Sequence, residues 1–322
     1  MRLKLVPGTT NWDFFRLSSV TLGASAIAVV ASVVLFFVVG LNFGIDFRGG
    51  TTIRTEASTP VDVGDYRAAL RALDLGDVSI TEVFDPTFGE RYVTLVNIQA
   101  QEGQESVTPD TIAAIEAALL EVDPTLTFPS VESVGPTVSG ELVQTAILAV
   151  ALAIGAVLIY IWLRFEWQFS LGAVAALVHD VVLTIGIFSL LQIRFDLAII
   201  AALLTIVGYS LNDTVVVFDR VRENLRKYKK RPLKEVMNLS INETLSRTVM
   251  TSVTTLLALI ALFVLGGDVI RGFVFAMIWG VIVGTYSSVF VASAVLLRLG
   301  VTRDWTKSDG GGAGTNFANI DA

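Results

Sequence analysis

The chain has 322 residues, of which 53% are hydrophobic and only 16% charged, a balance too apolar for a soluble domain of this length. It carries a net charge of −7 and no cysteine, which excludes disulfides and thiol chemistry. No Walker loop, no metal-ligand spacing of His or Cys and no nucleophile elbow occurs, so the chain is not expected to be an enzyme or to hold a cofactor or metal.

Six runs are long enough to cross an apolar core about 30 Å thick at 1.5 Å per residue: 20–41, 142–163, 169–191, 197–217, 248–265 and 273–297. Arg2, Lys4 and Arg16 lie in the terminal segment 1–19, before the first run. That run has no small-residue cleavage site and is too long for a signal peptide, so it is expected to stay as a span. An even number of spans puts both ends on one side. Segment 219–235 carries a net charge of +5, which places the basic loop 218–247, and with it both termini, in the cytoplasm. Segment 42–141 then lies outside. It carries a net charge of −12, an acidity that argues against nucleic-acid binding.

The external segment is long enough to be a domain. Strands are expected at 51–56, 78–84, 91–98 and 126–134, with a turn at 85–89. One helix starts at Asp62 as N-cap and stops at Gly76; a second starts at Thr108-Pro109 and turns Ile112, Ile115, Ala118 and Leu119 inward. The order β-α-β-β-α-β is that of a ferredoxin-like domain. The fold class is therefore a polytopic α-helical membrane protein with six transmembrane helices and one extracytoplasmic α+β domain between helices 1 and 2. Helices 2–6 occupy 142–299. The Gly-rich polar tail, 300–322, is expected to be disordered.

Asp213 follows Asn212 in the fourth apolar run, which otherwise holds no charge. A carboxylate there costs roughly 2.5–3.5 kcal/mol on insertion scales, so it calls for a partner or a purpose, and proton or ion handling is the first candidate. Thr205, Gly208 and Tyr209 lie on neighbouring turns and suggest an inward-facing polar stripe. Arg247 stands just before the fifth span, at a depth where it can pair with Asp213. Its alternative role is an interfacial anchor, and that of Asp213 is a hydrogen-bonded packing residue. His179 and Asp180 sit near the middle of the third span; adjacent helical residues point about 100° apart, so a relay and a structural role both stand. Gly280 and Gly284 read as a close-packing motif. Gly49 and Gly50 on the way into the domain, and Gly135 and Pro136 on the way out, suit either a hinge pair or tight connectors.

Eight motifs in order extend the reading: GIDFRGGT (44–51), VGP (134–136), RFEW (164–167), HDV (179–181), GYSLND (208–213), FDRVREN (218–224), TLSRT (244–248) and GTYSS (284–288). Together they make the chain resemble the SecD/SecF family of bacterial Sec export proteins, within the resistance-nodulation-division superfamily, and its smaller, SecF-type members in particular. Arg48 and Ser139 depart from the usual pattern, and both bear on the hinge. The resemblance implies a multi-pass protein of the bacterial inner membrane that uses the proton gradient to promote preprotein export. Protons are the coupling ion, Asp213 and Arg247 are the proton-path pair, and His179 and Asp180 match a motif of unsettled role; Asn212 is grouped with the same path. It also implies SecD as obligate partner, association with the SecYEG channel and YajC, and contact with unfolded preproteins and membrane lipid. Motion would pass through spans one and two to the external domain. The competing readings are half of a proton-driven small-molecule or lipid exporter, and a passive assembly scaffold.

Overall fold

The computed structural model describes residues 10–73, 75–76, 78–83, 91–99 and 107–301. The expected turn at 85–89 and the Gly-rich tail lie outside the described residues. The segment 10–15 is pinned to a distant helix by asparagine side chains: Asn242 Oδ1 accepts from Trp12 N at 2.9 Å, its Nδ2 donates to Trp12 O at 2.9 Å, and Asn238 Oδ1 accepts from Phe14 N at 2.9 Å. The first span, α1 (Ser18–Val38), follows.

A short helix, α2 (Ile45–Arg48), leads into the sheet domain: β1 (Gly50–Ala57), α3 (Val63–Arg71), β2 (Val78–Val83), β3 (Tyr92–Gln99), α4 (Pro109–Val122) and β4 (Thr127–Val134). The strands lie in the order β2-β3-β1-β4, every pair antiparallel, as the β-α-β-β-α-β pattern requires. Alternation along the strands puts Ile53, Ile80, Val96 and Ile98 on one face, where they are covered by Tyr66 and Leu70 of α3 and Ile115 and Leu119 of α4. Asp62 and Thr108 cap the two helices, accepting from Gly64 N at 2.6 Å and Thr111 N at 3.2 Å. The first of these helices ends at Arg71, short of Gly76, because Leu73 reaches the core from the connecting turn. Gly76 serves that turn with φ +73°.

Beyond the domain come α5 (Pro136–Arg164), α6 (Trp167–Leu191), α7 (Leu197–Lys227), α8 (Leu233–Leu265), α9 (Asp268–Ser287) and α10 (Ser293–Leu299), the last two joined by a π-helical turn, Ser288–Ala292. With α1 they make six membrane-length apolar helices, counting α9 and α10 as one. The helices α6, α7 and α9 form the centre of the bundle, while α1, α5 and α8 leave most of their surface to the surroundings. Close approach at the centre rests on glycine. A Cβ at Gly280 would collide with Ile206 of α7, and one at Gly284 would lie 3.0 Å from Ser210 Cβ.

The basic segment 218–247 is not a loop. Both α7 and α8 run on through it as a helical hairpin, with only a short break between Lys227 and Leu233. Its apolar residues recur every three to five positions, so Phe218, Val221 and Leu225 bury against Val236, Met237 and Ile241. The charges occupy the remaining faces, which is why the apolar runs end before the helices do.

Candidate functional site

Asp213 sits in the middle of α7 with only 2% of its surface exposed, and its Oδ2 has no hydrogen-bond partner among the described residues. An unmatched buried acceptor of this kind costs about 1–3 kcal/mol, and more when charged. The expected direct pair with Arg247 is not formed: no ion pair within 4.0 Å joins them among the described residues. Arg247 is exposed and lines an open cleft of about 280 Å³ with Val216, Asp219, Arg220, Glu223, Glu243 and Thr244. Its charge still reaches the Asp213 carboxylate. Val216 stands one helical turn from Asp213, so the cleft approaches the carboxylate from the hairpin side.

The stripe expected to face inward is divided. Ser210, Asp213, Thr214 and Val217 are buried, whereas Thr205, Gly208 and Asn212 are exposed on the outer face, and Tyr209 reaches Thr255 of α8 at 3.4 Å. Asn212 therefore does not share the interior with its neighbour. The 100° step between adjacent residues turns Asn212 out of the interior that holds Asp213.

His179 and Asp180 do meet. His179 Nδ1 lies 2.9 Å from Asp180 Oδ1, while Asp180 Oδ2 accepts from Ser210 of α7 at 2.6 Å and from Ser287 of α9 at 2.8 Å. The Asp180 carboxylate thus joins the three central helices. On its other side the His179 ring stacks on Tyr286, centroids 6.2 Å apart, and the Tyr286 hydroxyl contacts Ser25 at 3.0 Å and donates to Thr21 O at 3.0 Å on α1. Sequence reasoning missed Ser210 and Ser287 as partners. The signal was present in Gly284, which stands one turn from Ser287 and lets α9 approach α7 at Ser210.

On the domain side, the residues proposed as a hinge divide by conformation. Gly49 and Gly50 have φ of +73° and +131°, which favour glycine, whereas Gly135 is an ordinary extended N-cap with φ −72° and Pro136 occupies the first turn of α5. Ser139, a departure from the family pattern, is buried and donates to Ile45 O at 3.3 Å and Gly135 O at 3.2 Å, so it ties the two connectors together. Asp46 of α2 accepts from Leu197 N at 3.0 Å, which fixes the domain's incoming connector to the first turn of the helix that carries Asp213.

Comparison with known proteins fits this geometry. The sequence profile described as "Protein export membrane protein SecD/SecF, C-terminal" matches residues 114–302, and the "SecD/SecF GG Motif" matches 34–61. The chain belongs to the SecD/SecF family. It is 63% identical over 322 residues to the protein translocase subunit SecF of Cereibacter sphaeroides, covering 100% of this chain and 99% of that one. It is 43% identical to the SecDF of Brucella abortus, covering 93% of this chain and 39% of the relative. Among solved structures, SecDF from Thermus thermophilus, described as a translocon-associated membrane protein, superposes with a TM-score of 0.82 at 36% identity, over 93% of this chain and 40% of that chain. The SecD/SecF membership agrees with the six spans and the small antiparallel domain, and the GG profile covers the two positive-φ glycines at the start of β1.

Proposed function

We propose that this chain is the SecF-type half of a Sec export accessory in the bacterial inner membrane, and that it converts the proton motive force into outward movement of unfolded preproteins. Protons are the coupling species, and no other cofactor is required. The observation that carries this reading is the Asp213 carboxylate, buried, with an unmatched oxygen, one helical turn from an open cleft that holds Arg247. Protonation removes the charge from a group whose surroundings do not satisfy it, and the Arg247 guanidinium favours the ionised form when α7 and α8 bring it near. The double fastening of α2, to α7 through Asp46 and to α5 through Ser139, supports transmission of such a shift to the sheet domain. One charge moved through about 100 mV is worth about 2.3 kcal/mol, enough to reposition a domain held by a few such bonds.

A SecD-type chain completes the unit. Relatives named SecDF carry a second, longer part beside the region matched here. The exposed face of α7 and α8 that bears Thr205, Gly208, Asn212 and Thr254 would be costly against lipid and suits a helix-helix contact. The basic hairpin and both ends face the cytoplasm by the positive-inside rule. SecYEG and YajC are the expected neighbours of the assembled unit. The test is proton flux in liposomes holding this chain with its SecD-type partner under an imposed gradient. Asp213→Asn and Arg247→Ala should each abolish the flux, and the double variant should be little worse than either one. Unchanged flux in an assembled Asp213→Asn complex would overturn the proposal and favour a scaffold.

A further inference from the structure

Asn238 and Asn242 stand one turn apart on α8, and both turn their amides to the chain that precedes α1. The amide of Asn242 takes both backbone groups of Trp12, accepting from its N and donating to its O at 2.9 Å each, as a neighbouring strand would. Asn238 Oδ1 accepts from Phe14 N at 2.9 Å, and Thr10 Oγ1 donates to Asn242 O at 3.3 Å. These bonds leave the Trp12 indole unused, and it is 59% exposed.

The far end of the segment is anchored elsewhere. Phe15 is buried in the core that holds Phe218 of α7 with Val289 and Ala292 of the π-helical turn, and the Phe14 ring lies 6.0 Å from that of Phe290. The first span begins soon after, at Ser18. Residues 10–15 therefore join α8 to the π-helical turn and to α1. Burial of Phe15 alone would keep the segment in place without fixing α8, because apolar contact is non-directional and hydrogen bonds are not.

The same stretch of α8 carries Arg247. The helix is unbroken from Leu233 to Leu265, so Arg247 stands about 7.5 Å along the axis from Asn242. Steps of about 100° from Asn238 place it on the opposite face, towards the cleft it lines with Asp219, Arg220, Glu223 and Glu243. The apolar contacts of Val236, Met237 and Ile241 hold this half of α8 to α7, and residues 10–15 hold it from another side.

We propose that residues 10–15 are a brace that sets the place of Arg247 relative to Asp213, with Asn238 and Asn242 as the positioning residues for that arginine. The inference rests on the reading of Asp213 and Arg247 as the proton-coupling pair. With the brace in place the guanidinium stays within reach of the carboxylate. Without it, this half of α8 loses its fastening to the π-helical turn and α1, and Arg247 recedes.

The experiment is proton flux in liposomes holding this chain with its SecD-type partner, followed as a function of pH on the hairpin side. A receding cation favours the ionised carboxylate less, so the pH of half-maximal flux should rise. The expected rise is about one unit for Trp12→Pro, which removes the N–H that Asn242 accepts. Trp12→Ala keeps that N–H and should hold the midpoint. Asn242→Leu should match Trp12→Pro, and the two together should be little worse than either, since both open one fastening. Asn238→Ala, which suits a helix and loses the bond to Phe14, should shift the midpoint the same way by less, and it tests the brace where Trp12→Pro does not assemble. All of these changes are neutral, so the charges of Asp219, Arg220, Glu223 and Glu243 around Arg247, and of Asp13 and Arg16 in the segment itself, stay as they are. An unchanged midpoint in assembled Trp12→Pro and Asn238→Ala complexes would overturn the brace, even with stability lowered, and leave a structural fastening. So would an equal shift in Trp12→Ala. Asp213→Asn separates the two claims: flux that survives it contradicts the proton-coupling pair and the brace with it, whereas flux abolished by it, with midpoints unmoved in the brace variants, contradicts the brace alone.

Discussion

Asp180 and Asp213 are both buried in the centre of the bundle, at 1% and 2% exposure, yet their surroundings are opposite. Asp180 accepts from Ser210 and Ser287 and contacts His179, and these bonds hold α6, α7 and α9 in one arrangement. Asp213, on the next turn of α7 after Ser210, has an oxygen with no hydrogen-bond partner among the described residues. Two carboxylates of the same type are therefore held very differently. A fully bonded one is a strut, because moving it breaks several bonds at once, whereas an incompletely bonded one has an alternative state close in free energy. The difference supports the proposed reading, in which Asp180 is a strut and Asp213 exchanges the proton.

Substitutions can break this contrast in order of effect. The largest loss of stability is expected for Asp180→Ala, which strands three polar partners in the bundle and should cost on the order of 3 kcal/mol or more. Asp213→Asn, in the same assay, should leave the thermal midpoint in detergent within experimental scatter. Matching losses for the two would remove the distinction between strut and exchange site. Next is Gly284→Leu: its side chain has to displace Ser210, so a loss of roughly 1–3 kcal/mol is expected, together with weakened export from loss of the α7–α9 contact. An unchanged melting profile for that variant would mean that α9 does not sit against Ser210. The smallest effect is expected for Ser287→Ala, which removes one of the bonds to Asp180 and should cost about 1 kcal/mol, with gradient-dependent export retained.

Much of this was legible in the residues, and the parts that were not share a cause. The spans, the β-α-β-β-α-β order and the helix starts at Asp62 and Thr108 follow from local patterning, which one segment carries alone. Asp213 stood out because a lone charge in an apolar run is visible without a structure. The role of Ser210 was hidden, since a serine in a span is unremarked until Gly284 and Ser287 of another helix bring it to Asp180. Asn212 was grouped with the path of Asp213 because the two adjoin in sequence, yet helical geometry leaves Asn212 exposed. The hairpin 218–247 was taken for a loop because its charges lowered the hydropathy, although Val221, Leu225, Val236 and Ile241 keep a helical period.

The most direct test of the account is preprotein export into inverted membrane vesicles, with and without an imposed proton gradient, for complexes carrying Asp213→Asn or Asp180→Asn and checked for assembly. The account predicts that Asp213→Asn complexes assemble fully and export at the gradient-independent rate whether or not the gradient is present. Asp180→Asn complexes, where assembled, should still respond to the gradient, because the amide oxygen keeps an acceptor for Ser210 and Ser287. Normal gradient stimulation in an assembled Asp213→Asn complex would contradict the central claim that this carboxylate carries the proton.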